Sequence, residues 1–198
     1  MCRFLETVRV LHRQFLNLPY HNHRLNSTRG LVLGCNDAID LGRALSIPSW
    51  VGEDRYKCRV TYDVDIQRVE YQKYTPRHIQ SLALVNGDNF NYAYKYEDRT
   101  LFNELLAKKG KCDEILIIQN GRPTDTSYSN VAFYDGTAWV TPSSFLLPGT
   151  MRKSLIERDL LSVADMTVNC IYQYEKICLI NAMLDLGEVE LPTKNIVA

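Results

Sequence analysis

What this 198-residue sequence lacks excludes several classes of protein. Its six cysteines include no Cys-x-x-Cys pair and fit neither a zinc site nor a dense disulfide framework. No apolar run is long enough to cross a bilayer, and the N-terminus, charged at Arg3, Glu6 and Arg9, contains no apolar signal-peptide segment. Lys plus Arg equals Asp plus Glu, at 23 each, so no charge excess favours nucleic acid or an acidic membrane. These absences predict a reduced, cytoplasmic protein without metal, nucleic-acid or membrane partners.

What the sequence does contain is a dense pattern of short strands between Asp113 and Arg152. The apolar run Ile115–Ile118 is too short for a helix and is soon followed by Asn120-Gly121, so it predicts a buried strand that enters a hairpin turn. Val131–Tyr134 and Ala138–Val140 predict two more strands, joined by an Asp-Gly turn.

Two segments among these strands are unusual for simple connections. Residues 124–130, TDTSYSN, are polar over seven residues, whereas a hairpin turn needs about two. We therefore expect this segment to have a function besides connection. Later, Pro148 and Gly149 precede a helical pattern that begins at Met151. A glycine before a helix leaves backbone N–H groups and the positive end of the helix dipole exposed, which predicts an anion site.

The remaining pattern predicts an α+β protein with two domains. The expected boundaries are a small N-terminal α+β domain over 1–86, a polar linker over 87–94, and a C-terminal domain over 95–198 that is mainly β with helices. The expected strands outside the central stretch are Phe4–Val10, Gln14–Leu18, Tyr56–Asp65, Gln67–Tyr74, Ile79–Val85, Met166–Val168 and Lys176–Ile180. The expected helices are one beginning near His21, one over Asn36–Leu45, and one over Thr100–Lys109 that is closed by Gly110.

Taken in order, the central motifs resemble those of the class IV aminotransferase family. They are Asp-Glu before the strand, Asn-Gly, an acid followed five residues later by Asn130, Trp-x-Thr-Pro, and Leu-x-Gly-x-x-Arg ending at Arg152. The resemblance covers nearly the whole chain. It implies the two-domain fold type IV architecture and pyridoxal 5'-phosphate as cofactor. The pattern Gly-x-Met-Arg over Gly149–Arg152 is most similar to the aminodeoxychorismate lyase branch.

The resemblance assigns a catalytic lysine and a phosphate-binding arginine. The family's Schiff-base lysine follows the linker, where this chain has Lys95; composition alone does not distinguish it from the other lysines. The family's His-x-x-Arg-Leu matches His21 to Leu25, so the resemblance implies that Arg24 binds the cofactor phosphate. The fork of an arginine suits phosphate oxygens. A solvated helix arginine is the alternative interpretation.

Five further cofactor contacts follow from the resemblance. Asp125 stands where the family usually has a glutamate facing the pyridine nitrogen, and a carboxylate there keeps the ring protonated. An Asx-turn residue is the alternative interpretation of Asp125. The resemblance also implies that Tyr128 lines the ring face, that Thr150 and Met151 bind phosphate through backbone N–H groups, and that Asn181 contacts the cofactor from its turn.

Three functions remain open from the sequence. The first is a lyase releasing 4-aminobenzoate and pyruvate in folate biosynthesis. The second is an aminotransferase for branched-chain or D-amino acids. The third is a non-catalytic family remnant, suggested by Asp125 and by a start at Met1 that omits about one strand and turn found in family members. A homodimer is expected from the resemblance and from the 12 Tyr and 6 Phe, residue types enriched at interfaces.

Overall fold

The computed structural model describes residues 2–197, and contacts divide the chain into two compact units. The first unit contains the residues up to Thr75 together with Tyr94–Asp98, and the second contains Pro76–Ala93 and the residues from Arg99 onward. Within residues 2–197 no helix is long and apolar enough to cross a membrane, and no group of three or more His, Cys, Asp or Glu side chains is arranged to hold a metal ion.

The first unit is built on an antiparallel sheet. Its order is β2-β1-β3-β4, formed by β1 (Phe4–Leu11), β2 (Gln14–Phe15), β3 (Tyr56–Tyr62) and β4 (Ile66–Lys73). The predicted strands Phe4–Val10, Tyr56–Asp65 and Gln67–Tyr74 are therefore confirmed, with shifts of one to three residues at their ends. Short turns join β1 to β2 and β3 to β4, as antiparallel pairing allows, whereas β1 and β3 are far apart in the sequence.

One long helix, α1 (Leu18–Leu33), supplies the other half of the core of the first unit. Its buried residues are His21, Leu25, Thr28 and Arg29, spaced so that they lie on one face of a helix. Leu25 packs in one cluster with apolar residues of β1 and β3. The helix ends at Gly34, whose φ of 71° is the left-handed conformation that glycine adopts readily.

The predicted helix over Asn36–Leu45 is wrong in its extent. Only α2 (Leu41–Ala44) is helical, and Asp40 is its N-cap, with a side-chain oxygen that accepts a backbone N–H at 2.9 Å. Asp37, within the predicted helix, instead pairs with the buried guanidinium of Arg29 at 3.0 and 3.1 Å. This ion pair fixes Asp37 in a bend, so the residues before Asp40 are not helical.

Two features of the predicted domain boundaries differ from the structure. The predicted first domain runs to residue 86, but β5 (Leu82–Asn86) pairs in parallel with β6 (Glu114–Gln119) and belongs to the second unit. The predicted second domain starts at Lys95, but the backbone of Lys95 accepts a hydrogen bond from Leu5 N–H of β1, so this segment belongs to the first unit. Long-range strand pairing caused both differences.

In the described residues, the second unit contains two sheets and two α-helices. One sheet has the order β13-β5-β6-β7 and the other has the order β10-β9-β8-β11-β12. The remaining elements are β7 (Arg122–Pro123), β8 (Asn130–Tyr134), β9 (Trp139–Pro142), β10 (Ser162–Ala164), β11 (Lys176–Ile180), β12 (Glu190–Pro192), β13 (Ile196–Val197), α3 (Thr100–Leu106) and α4 (Thr150–Glu157). Short 3-10 turns occupy Ala107–Lys109, Val168–Gln173 and Thr193–Asn195.

Both predicted hairpin turns of the central stretch are confirmed. Asn120 and Gly121 have φ values of 49° and 71°, the pair of positive values that a two-residue turn requires, and they join β6 to β7. Gly136 has φ 97° in the turn between β8 and β9. The predicted strand Lys176–Ile180 is β11, with the same bounds.

The predicted strand Met166–Val168 is wrong. The strand lies earlier, at β10, where Ser162 to Ala164 pair in parallel with β9. Val168 instead begins a 3-10 turn, and its backbone N–H donates to Gly121 O at 2.8 Å. A short apolar run does not reveal which neighbour will accept its backbone hydrogen bonds.

Candidate functional site

Lys95 lies in a short segment that pairs with the start of β1. Leu5 N–H donates to Lys95 O at 2.8 Å, and Tyr96 next to it packs its ring 5.2 Å from that of Phe4 in the core. The charge of Lys95 is among the influences that lower the pKa of the buried His21, after burial itself, so the amine lies in the neighbourhood of that histidine.

Polar and charged side chains surround Glu97, two residues after Lys95. The carboxylate of Glu97 accepts from Arg68 Nη2 at 3.0 Å and from Thr61 Oγ1 at 3.3 Å, and Arg59 Nη2 lies 3.7 Å from it. These contacts fix the end of the segment that contains Lys95 against β3 and β4.

Arg24 is held by a buried carboxylate. Its Nε donates to Glu6 Oε1 and its Nη2 donates to Glu6 Oε2, both at 2.7 Å, while His21 Nδ1 lies 2.6 Å from Glu6 Oε2. The side chains of Glu6 and His21 are fully buried, and that of Arg24 is 11% exposed. The alternative of a solvated helix arginine is therefore wrong for Arg24.

The ionisation of this cluster follows from its geometry. Burial on its own raises the pKa of Glu6, but the charge and hydrogen bonds of Arg24, with the bond from His21, bring that pKa down to about 2. Burial lowers the pKa of His21. A neutral imidazole then donates its Nδ1–H to the carboxylate. The carboxylate is charged at neutral pH and fixes the guanidinium in one orientation.

Asp125 is buried in the segment that leads into β8. It is 5% exposed and forms a backbone bridge with Asn130. Its Oδ1 accepts from Asn130 Nδ2 at 2.8 Å, and its Oδ2 accepts from Leu147 N–H at 3.1 Å. The Asx-turn alternative is wrong, because the carboxylate bonds to groups five and 22 residues away. Burial raises the pKa of Asp125 to about 7, against those hydrogen bonds and the charge of Arg152.

This raised pKa leads to a testable dependence of stability on pH. Between its ordinary value of 3.8 and its folded pKa of about 7, Asp125 keeps a proton in the folded state that the unfolded chain has released. Stability therefore falls as pH rises through this window, by up to about 4 kcal/mol for a shift of about three units. We expect Asp125→Asn to flatten this fall in urea unfolding of the cofactor-free protein.

The matched control for this prediction is Asp135→Asn. Asp135 accepts turn N–H groups on the surface, which lower its pKa, so its loss should leave the fall between pH about 4 and about 7 in place. Parallel pH curves for the wild type and Asp125→Asn would contradict the assignment.

The anion site predicted at Gly149 lies at the start of α4. Gly149 is the N-cap and provides no side-chain cap, so backbone N–H groups at Thr150 and Met151 face the helix N-terminus. The Met151 side chain packs in an apolar cluster, so only its backbone is suited to an anion. Arg152 turns back, and its Nη2 donates to Pro142 O at 2.8 Å. The motif arginine therefore binds the end of β9 to the helix.

Asn181 is brought to the loop that carries Asp125. Its Nδ2 donates to Ser129 Oγ at 2.7 Å and to Tyr128 O at 3.4 Å. The Tyr128 ring has the Arg77 guanidinium 5.0 Å from its centroid. The polar segment predicted to have a function is thus fixed by side chains from distant parts of the second unit.

Sequence reasoning missed two buried acids that position these groups. Glu114, fully buried, accepts from Ser127 Oγ at 2.9 Å and pairs with Arg77 Nη1 at 3.1 Å, which supports the loop around Asp125. The other is Glu6. A signal for it existed, because alternation places Glu6 on the same face of its strand as Phe4 and Val8. An acid at a core position requires a cationic partner.

The predicted site residues therefore form two groups. The first unit holds Arg24 and Lys95, and the second unit holds Asp125, Tyr128, Thr150, Met151 and Asn181.

Comparison with known proteins gives a match over almost the whole chain. The family described as amino-transferase class IV matches residues 3–190. An uncharacterized protein of Haemophilus influenzae is 30% identical over 185 residues, which are 92% of this chain and 98% of that protein. A crystal structure from Haemophilus somnus 129PT, provisionally assigned as a 4-amino-4-deoxychorismate lyase, is 31% identical with a TM-score of 0.87, covering 94% of this chain and 98% of that one.

More distant structures share the fold. A Mesorhizobium loti protein, provisionally assigned as an amino-acid aminotransferase, is 20% identical with a TM-score of 0.77 and covers all of both chains. A hypothetical aminotransferase from Mycobacterium tuberculosis in its PLP-bound form is 16% identical with a TM-score of 0.77, covering 98% of this chain and 81% of that one. The predicted two-domain, fold type IV α+β architecture is confirmed.

Proposed function

The chain belongs to the class IV aminotransferase family, and we propose that it is a pyridoxal-phosphate-dependent lyase of the aminodeoxychorismate type. Its products would be pyruvate and 4-aminobenzoate, the latter for folate biosynthesis. The observation that carries the lyase assignment is the likeness to the Haemophilus somnus structure, at 31% identity over 94% of this chain. The aminotransferase structures described above share 20% identity or less and support the fold alone.

The residues present fit pyridoxal phosphate at two points. The Asp125 carboxyl is buried with a raised pKa, so a cationic ring N–H beside it would stabilise its charged form. The N-terminus of α4, capped by Gly149 without a side-chain hydrogen bond, suits a phosphate through its backbone N–H groups and helix dipole. An acid for the ring nitrogen and an anion site for the phosphate are what this cofactor requires of a protein.

Each proposed residue has a defined task. When bound, pyridoxal phosphate supplies an electron sink for the negative charge that develops at the substrate α-carbon. Lys95 Nζ would hold the cofactor covalently before the substrate binds and, as the released amine, would take the proton from the substrate α-carbon. Asp125 holds the proton at the ring nitrogen. In the first unit, Arg24, which Glu6 orients, is the proposed phosphate ligand. In the second unit, the backbone N–H groups at the start of α4 have that proposed role.

Tyr128 and Asn181 complete the proposed cofactor contacts. Asn181 donates to the Tyr128 backbone and to Ser129, which supports a role in holding the loop against the ring. A small-molecule substrate, a cytoplasmic location and a homodimer are also part of the proposal. The homodimer stays a prediction from the family resemblance.

The experiment that tests the lyase proposal is turnover of aminodeoxychorismate by the purified protein loaded with pyridoxal phosphate. We expect pyruvate, detected with lactate dehydrogenase, and 4-aminobenzoate, detected by its fluorescence, to appear in equal amounts. Equal amounts are required because the reaction cleaves one substrate into these two products.

Two other outcomes would replace this proposal. Conversion of leucine or D-alanine to its keto acid, with the cofactor left in its amino form and no 4-aminobenzoate, would assign an aminotransferase. Tight cofactor binding without turnover of any of these substrates would assign a non-catalytic member of the family.

A further inference from the structure

The side chain of Asn130, the last residue of the polar segment 124–130, bonds to two separate parts of the second unit. It is 6% exposed, and its Nδ2 donates both to Asp125 Oδ1 at 2.8 Å and to Leu147 O at 3.0 Å. Leu147 N–H in turn donates to Asp125 Oδ2 at 3.1 Å. One amide group therefore joins the acid to the segment that leads into α4.

The Asn130 amide occupies the space where a side chain on Gly149 would begin. A Cβ built on Gly149 would lie 1.8 Å from Asn130 Oδ1, which is too short for any side chain, and 3.0 Å from Asn130 Cγ. The backbone of Gly149 does not itself require glycine, because its φ of −68° and ψ of 137° are available to any residue. The glycine is therefore needed to admit the asparagine.

From this packing we propose that Asn130 is a positioning residue, which stabilises the charged form of Asp125 and at the same time fixes the turn before α4. The inference rests on the proposed function, since it assigns the two ends of the cofactor site to one side chain. Under that function Asp125 would bind the ring nitrogen and the turn would bind the phosphate, two groups of one small molecule with limited reach. A fixed spacing between acid and turn is therefore required for both to act on one bound molecule.

The physical consequence for Asp125 is specific. Its folded pKa is about 7 because burial disfavours the charge, and the hydrogen bond from Asn130 is the largest opposing effect. Removing a donor from a buried charged acceptor is expected to raise the pKa further, by about one to two units. Loss of packing alone would lower stability without this change.

Three variants separate positioning from packing. Asn130→Ala removes the amide, Gly149→Ala displaces it without changing its chemistry, and the double variant fills the vacated space with the new Cβ. The first readout is the pKa of Asp125 in the cofactor-free protein, measured by carboxyl carbon NMR. The second is the dissociation constant for pyridoxal phosphate and for pyridoxal, which lacks the phosphate.

We expect all three variants to raise the pKa of Asp125 and to weaken pyridoxal phosphate binding about tenfold or more. Binding of pyridoxal phosphate should fall more than binding of pyridoxal, because the turn is displaced as well as the acid. The double variant should recover stability relative to Gly149→Ala but recover neither readout. Asn26→Ala, which removes an amide that bonds Ile39 in the first unit, is the control and should leave the pKa of Asp125 unchanged.

Two results would overturn the inference. One is a pKa of Asp125 that is the same in Asn130→Ala as in the wild type. The other is a double variant that regains both the pKa and the cofactor affinity. If Gly149→Ala does not fold, Asn130→Ser provides the second measurement, with an intermediate shift expected. A wild-type protein that binds no pyridoxal phosphate would refute the proposed function, while the NMR readout would still decide the role of Asn130.

Discussion

Replacement of Lys95 by alanine is expected to lower turnover about a thousandfold or more, because it removes the group that moves the proton at the substrate α-carbon. Folding should be nearly unaffected. The hydrogen bond that holds this segment to β1 uses the backbone oxygen of Lys95, and alanine keeps that oxygen. Borohydride treatment of the loaded wild type, followed by peptide mass spectrometry, should find the cofactor on Lys95 and find none bound covalently in the variant.

The matched control is Lys73→Ala. Lys73 lies on β4, is 64% exposed and pairs with Asp54 on the surface, so its loss should leave turnover and cofactor attachment unchanged. Covalent attachment at another lysine in the wild type would contradict the assignment of Lys95, even if the family activity were present.

Replacement of Glu6 by glutamine is expected to lower the free energy of unfolding at neutral pH by about 3–5 kcal/mol, the usual effect of breaking a buried ion pair. The Glu6 carboxylate accepts three hydrogen bonds from Arg24 and His21 while fully buried. A glutamine keeps the shape but removes the negative charge that Arg24 contacts through two of its nitrogens. Because Arg24 also loses its fixed orientation, binding of pyridoxal phosphate should weaken as well.

The pH dependence identifies the origin of this loss. The folded pKa of Glu6 is about 2, below its ordinary value of 4.5, so its contribution is fully present above pH about 4.5 and is lost as pH falls toward about 2. The difference in unfolding free energy between the wild type and Glu6→Gln should therefore shrink over that acid window. Urea unfolding at a series of pH values measures it.

The control pair for Glu6→Gln is Arg29 with Asp37, where the arginine is buried but the carboxylate is 72% exposed. Asp37→Asn should have the smaller effect on stability, because water can replace an exposed carboxylate. Equal losses for the two variants, or a difference between wild type and Glu6→Gln that persists unchanged in acid, would refute the buried-charge explanation.

The sequence alone was sufficient where structure depends on neighbouring residues. The Asn120-Gly121 turn was predictable because few residue pairs adopt two positive φ values, and the bounds of β11 followed from a short apolar run. The family, the fold class and pyridoxal phosphate as cofactor followed from the order of several local motifs. Each of these signals lies within a few residues of what it predicts.

The tertiary structure decided the extent of elements and units where a residue bonds to a partner outside its own local motif. Asp37 bonds to Arg29 and not to the start of a helix, so the predicted helix is reduced to α2. Lys95 belongs to the first unit because its backbone pairs with β1.

The same distinction applies to the candidate site. Local pattern selected Lys95, Arg24 and Asp125, because their motifs are contiguous in the sequence. It did not reveal that Glu6 holds Arg24, or that Gly149 is glycine to admit Asn130. Burial and long-range hydrogen bonds set the pKa of a carboxyl group and the space beside a glycine, and both arise only when distant segments pack together.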